Sequence, residues 1–213
     1  MKKFILPLLL LLFVGSIMAV ESEPSAVVGY VKYDLVAGNN TIALPMDQPY
    51  ALASEIGDAL GATTVGQFNA DSQEWEYILA FPWGGWDSDF AVVNGHPLWV
   101  SIDDASQYYS IGSLPSTSPS YDLVAGNNMI MVPLSKSDLE FASMVGDDIG
   151  ATTVGMFNST TQEWEYILAF PWGGWDSDFD AAIGDALWIS TDAAGTWPTP
   201  AGRSTTKPSL QKK

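Results

Sequence analysis

The chain has 213 residues, of which 25 are acidic and eight are basic, so its formal net charge is −17. It has one histidine and no cysteine, which excludes disulfide frameworks, cysteine-ligated metal sites and cysteine nucleophiles. A surface this acidic repels phosphate backbones, so the composition argues against a nucleic-acid partner.

The first 19 residues have the pattern of a secretory signal peptide. Lys2 and Lys3 precede an apolar run at 4–14, and small residues lead up to Ala19. The run is shorter than the roughly 20 residues that cross a bilayer, and no later stretch is long and apolar enough to do so. We therefore predict cleavage near Ala19, no membrane span after cleavage, and a protein that is secreted to the extracellular space or the cell surface.

Cleavage there would leave a more acidic protein. All 25 acidic residues lie between Val20 and Trp197, where only Lys32 and Lys136 are basic, so this part carries a formal charge of −23. Acidity of this kind is typical of proteins kept soluble at high salt by charge and hydration, an explanation that needs no ligand.

An internal duplication organises the chain. The segment at 33–45, YDLVAGNNTIALP, returns at 121–133 as YDLVAGNNMIMVP. The segment at 61–90 returns at 150–179 with only four of its 30 positions changed. Self-similarity at a fixed spacing indicates two copies of one structural unit.

The composition between and after the copies predicts the boundaries. Residues 109–120 are rich in serine and proline and are predicted to form an exposed linker. Residues 198–213 have little apolar content and are predicted to form a disordered basic tail. The two repeat units are then residues 20–108 and 121–197.

Within each unit the pattern is mostly that of strands. Residues 74–81 alternate apolar and acidic side chains, which predicts a half-buried strand whose apolar face is turned toward the core. The inward residues of this strand would be Trp75, Tyr77, Leu79 and Phe81. Shorter β-branched or apolar runs at 41–44, 63–68 and 98–102 predict further strands.

One segment in each unit has helical spacing. Apolar residues four apart within 50–60, followed by Gly61, predict a short helix. Its counterpart is predicted at 137–149, with Ser137 as N-cap and Glu140 completing a capping box. The predicted fold class is α+β, mostly β: two homologous small units, each a twisted, meander-like antiparallel sheet with one short helix.

The first unit contains in chain order Tyr33, Asp34, Leu35, Asn40, Pro45, Gln73, Trp75, Trp86, Gly95 and Trp99, and the second unit repeats them. This order of residues resembles a module that is repeated in secreted and surface proteins of bacteria. The resemblance covers nearly all of the chain that follows the leader. It implies export, repetition and a non-catalytic role, and it assigns no site.

The segment FPWGGWDSDF, at 81–90 and again at 170–179, is the best candidate binding site. Tryptophans on a glycine-rich loop can offer flat apolar faces to sugar rings, with aspartates accepting hydrogen bonds from hydroxyls. The alternative is that these tryptophans fold back as a lid on the core. The predicted ligand-binding residues are Trp83, Trp86, Asp87, Asp89, Trp172, Trp175, Asp176 and Asp178.

The same aspartates are a weak candidate for a calcium site. Hard cations prefer several carboxylate and carbonyl oxygens at alternate positions. Asp87 and Asp89 in the first copy, and Asp176, Asp178 and Asp180 in the second, have that spacing. The rest of a calcium-loop pattern is missing, and solvated turn aspartates remain the alternative.

Catalysis has less support than binding, and we do not expect an enzyme. His96 is replaced by Asp185 in the second unit, so a serine–histidine–aspartate set cannot be built in both. Glu74 and Glu76 lie on one predicted strand face, whereas a glycosidase pair flanks a cleft.

Two functions remain open. The first is a secreted binding module whose twin loops contact a polysaccharide or another surface polymer or protein. The alternative is a structural or assembly subunit of an extracellular layer or filament. In that case the segment at 27–32, which has no counterpart before the second unit, would pair with a neighbour's open sheet edge and drive self-association.

Overall fold

The computed structural model of the chain describes residues 28–198. The predicted signal peptide at 1–19, and all but the first residue of the predicted tail at 198–213, lie outside the described residues.

The first repeat has six strands and one helix. These are β1 (Val28–Leu35), β2 (Gly38–Ile42), α1 (Ala53–Leu60), β3 (Ala62–Asn69), β4 (Glu74–Leu79), β5 (Leu98–Ile102) and β6 (Ser106–Ser113).

The second repeat follows the same order, with an added 3₁₀ turn at Leu134–Lys136. Its elements are β7 (Tyr121–Leu123), β8 (Gly126–Met131), α2 (Ala142–Ile149), β9 (Ala151–Asn158), β10 (Glu163–Leu168), β11 (Ala186–Thr191) and β12 (Gly195–Trp197).

Each repeat is built on a four-stranded antiparallel sheet, which confirms the predicted fold class. The strand order is β2-β5-β3-β4 in the first repeat and β8-β11-β9-β10 in the second. The β3–β4 pair is a hairpin, whereas β5 enters between β2 and β3. Strand β5 takes this central place because Leu98, Val100 and Ile102 are all buried in the core.

The core of each repeat lies between the helix and one face of the sheet. Ile56 of α1 packs there with Val65 and Val100, all three fully buried. Val145, Val154 and Ile189 occupy the equivalent places in the second repeat.

The prediction of which face of β4 packs against the core was wrong. The face that was expected to be buried is the outer face of the sheet. Ile78 is 1% exposed, whereas Tyr77 and Leu79 are 45% and 50% exposed. The reason lies in the register, because Ile78 lies opposite the buried Val65 while Tyr77 lies opposite Gly66. A period of two identifies two faces, and the packing of the neighbouring strand decides which one is covered.

Both helices begin later than predicted. The residues before their first turns, Leu52 and Phe141, have extended backbone and no side-chain cap of their own. Ser137 does not cap α2, since it lies at the end of the 3₁₀ turn. The caps come instead from a distant loop, which is described below.

The predicted linker is shorter than its composition suggested. Residues 109–113 belong to β6, which pairs with β1 along eight residues to form an antiparallel ribbon. Only 114–120 remain between β6 and β7. The segment at 27–32, proposed for assembly, falls largely in β1, so its described residues pair within the chain rather than with a neighbour.

The two repeats pack through the outer faces of their sheets. Six aromatic side chains meet there, and we call them the pairing cluster: Phe68, Trp75, Trp99, Phe157, Trp164 and Trp188. The ring centroids of Trp99 and Phe157 are 4.6 Å apart, and the equivalent contact between Phe68 and Trp188 is also 4.6 Å. Each contact therefore occurs twice, as in a two-fold symmetric interface.

Two glutamines add hydrogen bonds on either side of this cluster. The Gln162 side chain accepts from the Asn39 backbone N–H at 2.8 Å and donates to the Asn39 carbonyl at 2.9 Å. Gln73 does the same with Asn127, at 2.9 and 2.8 Å. Gly38 makes room for Gln162, because a Cβ there would lie 2.9 Å from its Oε1. The glutamines fix one orientation of the repeats.

Both helices are eight residues long. Across 28–198, no helix combines the length and the apolar character that crossing a membrane requires.

Candidate binding surface at the tryptophan loops

The FPWGG segment forms a tight turn that projects beyond the sheet. The Phe81 N–H donates to the Gly85 carbonyl at 2.8 Å, and the Gly84 N–H donates to the Phe81 carbonyl at 2.9 Å. Gly84 and Gly85 have φ angles of +97° and +85°, a region that favours glycine. The turn at 170–174 has the same bonds.

Trp83 lies at the tip of this turn and is 81% exposed. One face of its indole stacks on Phe81, with centroids 5.1 Å apart and planes within 7°. Trp172 is equally exposed and stacks on Phe170 at 5.1 Å and 8°. Since stacking holds the ring in place and leaves its other face open, each loop presents a pre-oriented aromatic platform.

Trp86 has a different environment from Trp83, although both were predicted to bind ligand. Its ring packs directly over Gly57 of α1, where a Cβ would lie 2.3 Å from the indole. Its Nε1 donates to Asp58 at 3.0 Å. Trp175 repeats this arrangement with Gly146 and Asp147. These two tryptophans attach the loops to the helices.

Asp87 closes the outer edge of β4. Its Oδ1 accepts from the Leu79 backbone N–H at 2.8 Å, and its own N–H donates to the Leu79 carbonyl at 3.0 Å. The hydrogen bond from Leu79 holds the pKa of the Asp87 carboxyl below its usual value. Asp176 makes the same bonds with Leu168.

Asp89 caps α1 from outside the helix. Its carboxylate accepts from the Ser54 backbone N–H at 3.1 Å and from the Ser54 hydroxyl. Desolvation raises the pKa of Asp89, but the bonds from Ser54 and Phe90 outweigh it and leave that pKa below its usual value. Asp178 caps α2 in the same way through Ser143. An acidic group at this position also complements the helix dipole.

The structure does not gather the aspartates proposed for calcium into one cluster. The Asp87 and Asp89 carboxylates accept hydrogen bonds from different partners, Leu79 and Ser54. Within residues 28–198 no three His, Cys, Asp or Glu side chains are grouped as metal ligands.

Sequence reasoning missed that the exposed Trp83 continues an apolar stripe along β4. In each repeat four exposed apolar side chains occupy alternate sequence positions, two on the strand and two in the turn that follows it. They are Tyr77, Leu79, Phe81 and Trp83 in the first repeat, and Tyr166, Leu168, Phe170 and Trp172 in the second, each between 38% and 81% exposed. The alternation at 74–81 was the signal, but it was assigned to the core.

His96 and Asp185 occupy equivalent positions, and neither is part of the stripe. Burial lowers the pKa of His96 and raises the pKa of Asp185. Asp185 accepts from the Ala182 N–H at 2.7 Å. Both groups lie beside the contact between repeats, where Tyr121 donates to the Gly95 carbonyl and Tyr33 to the Gly184 carbonyl.

Comparison of the chain with protein-family models, with curated proteins and with solved structures found no match.

Proposed function

We propose that the protein is a secreted, non-catalytic binding module that contacts an uncharged polysaccharide at the cell surface or outside the cell through its two apolar stripes. The observation that carries the proposal is the 81% exposure of Trp83 and of Trp172, each stacked on a phenylalanine. Exposing a large aromatic side chain twice in the same conformation has a cost that binding would offset.

The chemistry of the stripes favours sugar rings. A sugar presents a flat C–H face that packs on an aromatic ring, and its hydroxyls hydrogen-bond at the margin. Tyr77 and Tyr166, which are 45% and 46% exposed, supply hydroxyls of this kind.

The charge favours a ligand without acidic groups. The basic residues of the described range, Lys32 and Lys136, are paired with Asp34 and Asp148 at 2.7 and 2.6 Å. Within residues 28–198, a uronate or sulfate polymer would therefore meet acidic side chains without a free cation to receive it.

Assembly through β-strand pairing has weaker support. The strand that suggested it, β1, already pairs with β6. The outer edge of β4 is partly blocked, because the Leu79 N–H is bonded to Asp87. Edges protected in this way do not readily add a strand.

Binding to soluble neutral polysaccharides, namely a β-glucan, a mannan and a xylan, tests the proposal by isothermal calorimetry. The wild type should bind at least one of them, and the double variant Trp83→Ala, Trp172→Ala should bind it at least tenfold more weakly. Tyr30→Ala is the matched control, since Tyr30 is 67% exposed but lies off the stripes. Equal binding by the double variant and the wild type, or no binding by the wild type, would overturn the proposal.

A further inference from the structure

A cavity of about 180 Å³ lies where the two repeats meet. Its apolar lining comes from Phe68, Val93 and Pro97 of the first repeat, from Pro119 between the repeats and from Met129 of the second. No residue of the two stripes lines it. Since a cavity of about 150 Å³ can hold a benzene ring, this one has room for a single six-membered ring.

The cavity leaves part of one ring of the pairing cluster uncovered. Phe68, which lines it, is only half-buried, whereas the equivalent Phe157 is 6% exposed. The two rings make equivalent contacts with tryptophans at 4.6 Å, so packing between the repeats does not require this difference. His96, which also lines the cavity, corresponds to Asp185 in the second repeat. The residues that form the cavity are therefore specific to one side of the contact between the repeats.

The walls of the cavity are held in place by contacts within the chain. Pro119 packs on Gly95 so closely that a Cβ at Gly95 would lie 2.5 Å from the proline ring. The Tyr121 hydroxyl donates to the Gly95 carbonyl at 2.7 Å and accepts from the Met131 N–H at 3.1 Å. A ligand that enters a cavity formed in this way does not have to order its walls, which lowers the entropy cost of binding.

Two polar side chains of the lining are available to a ligand. Within residues 28–198, neither the His96 ring nor the Ser120 hydroxyl has a hydrogen-bond partner. Burial lowers the pKa of His96, so its ring is neutral at pH 7 and has one N–H donor and one acceptor nitrogen. A ligand hydroxyl, which both donates and accepts, suits such groups. The acidity of the chain disfavours an anionic ligand.

We propose that this cavity is a further binding site, which takes an uncharged monocyclic aromatic compound with a hydroxyl group, that is, a phenol. The aromatic ring of the ligand packs against Phe68 and against the thioether of Met129, contacts that are favourable beyond the area they bury. Its hydroxyl bonds to His96 and Ser120. The site is separate from the stripes, so it does not rest on the proposed binding of polysaccharide.

An NMR titration of the untagged chain with p-cresol tests the site. His96 is the only histidine in the sequence, so its ring resonance is identified without further assignment. This resonance should shift to saturation with one site per chain and a Kd of about 1 mM or tighter. Intermolecular NOEs should join the cresol ring to the methyl groups of Val93 and Met129. Toluene, which lacks the hydroxyl, should bind at least tenfold more weakly.

Two phenylalanine variants locate the site independently. Ser120→Phe adds a ring at the exposed rim of the cavity and should weaken the binding of p-cresol at least tenfold. Thr160→Phe adds the same ring at an exposed residue of the β9–β10 turn and should leave the affinity unchanged. The double variant Trp83→Ala, Trp172→Ala should also bind p-cresol as the wild type does, because neither residue lines the cavity.

Several results would overturn the proposal. The site is wrong if the His96 resonance shows no saturable shift, if NOEs are confined to stripe residues such as Leu79, or if Ser120→Phe binds p-cresol as tightly as Thr160→Phe does. The phenol class is wrong if toluene binds as tightly as p-cresol. Failure of the stripes to bind polysaccharide would leave each of these measurements unaffected.

Discussion

The loop tips and outer sheet faces have the same contacts in both repeats, whereas the strands that close the two cores differ. Each core is closed by a two-stranded ribbon, β1 with β6 in the first repeat and β7 with β12 in the second. The first ribbon pairs eight residues and the second three. The surfaces that pair the repeats and carry the stripes are therefore the same in both repeats. The repeats differ where each core meets its ribbon.

The closing residues show this difference most clearly. In the first repeat Tyr33 stacks on Tyr108 at 6.3 Å, and the buried Tyr108 hydroxyl has no hydrogen-bond partner. In the second, Trp197 takes the place of Tyr108, and its Nε1 donates to Asp148 at 2.6 Å. Asp148 corresponds to Ala59 of α1. The second ribbon compensates for its shortness with a side-chain anchor.

Removing Trp99 or Trp188 should have the largest effect on the free energy of unfolding, and the two effects should be equal. Trp99→Ala and Trp188→Ala each remove a ring from the pairing cluster. Each should lower the free energy of unfolding by about 3 to 5 kcal/mol, measured by urea denaturation. Val93→Ala, at a residue 66% exposed, is the control. Effects that differ by more than about 1.4 kcal/mol between the tryptophans would contradict a symmetric interface.

Adding a methyl group to the helix beneath Trp86 or Trp175 should also lower the free energy of unfolding by the same amount in both repeats. Gly57→Ala and Gly146→Ala each place a Cβ 2.3 Å from an indole ring. Each should cost about 1 to 3 kcal/mol of unfolding free energy, because the ring must leave the helix. Gly195→Ala has open space around its Cβ and serves as the control. A cost below that of the control would show that Trp86 and Trp175 are not anchored as described.

Substitution of the two closing residues, Trp197 and Tyr108, should have different effects on the stability of the protein. Trp197→Phe loses the hydrogen bond to Asp148 and should destabilise by about 1 to 3 kcal/mol. Tyr108→Phe removes a buried hydroxyl that lacks a partner, so it should be neutral or slightly stabilising. Thermal unfolding of both variants checks this. A loss of stability in Tyr108→Phe that equals the loss in Trp197→Phe would show that the ribbons close the cores alike.

The smallest expected effect is a difference in pH dependence between His96 and Asp185. The pKa of His96 is below 6.5 in the fold, so the stability it contributes is present above pH 6.5 and lost as pH falls through the folded pKa. His96→Gln should therefore reduce the loss of Tm between pH 7 and pH 5. An unchanged slope would show that His96 is not the group that titrates.

Asp185 should act in the opposite direction. Its pKa is raised above 3.8, so the stability it contributes is present at low pH and lost as pH rises through the folded pKa. Asp185→Asn keeps an oxygen to accept from Ala182 and removes the buried charge, so its Tm at pH 7 should exceed that of the wild type. A lower Tm at pH 7 would show that the charge itself stabilises the second repeat.

The sequence was sufficient for the duplication and the fold class, but not for every strand, because part of β6 was assigned to the linker. The faces of β4 could not be assigned from it, because alternation leaves two choices and the decision depends on Val65 and Gly66 in the neighbouring strand. The helix starts were missed for a similar reason. Asp89 and Asp178, which cap them, are 35 residues away from the serines they bind.

The candidate site could be located from the sequence, but the separate roles of its residues could not be assigned. Trp83 and Trp86 both flank the glycine pair. Trp86 packs against α1 because Gly57, on that separate helix, leaves room for its ring, whereas Trp83 projects into solvent. Likewise, nothing in the motif Gln-x-Trp indicates that Gln73 binds the backbone of Asn127 in the other repeat. Contacts between distant segments decide these roles.

The central claim is that Trp83 and Trp172 contact the ligand, whereas Trp86 and Trp175 hold the loops. The indole N–H resonances of these four residues, assigned by single Trp→Phe substitutions, test it in one NMR titration with the neutral polysaccharide that binds best. We predict that the Trp83 and Trp172 resonances shift with bound fraction, while the Trp86 and Trp175 resonances, whose N–H groups are bonded to Asp58 and Asp147, do not. Shifts confined to Trp86 and Trp175, or binding that leaves all four unchanged, would contradict it.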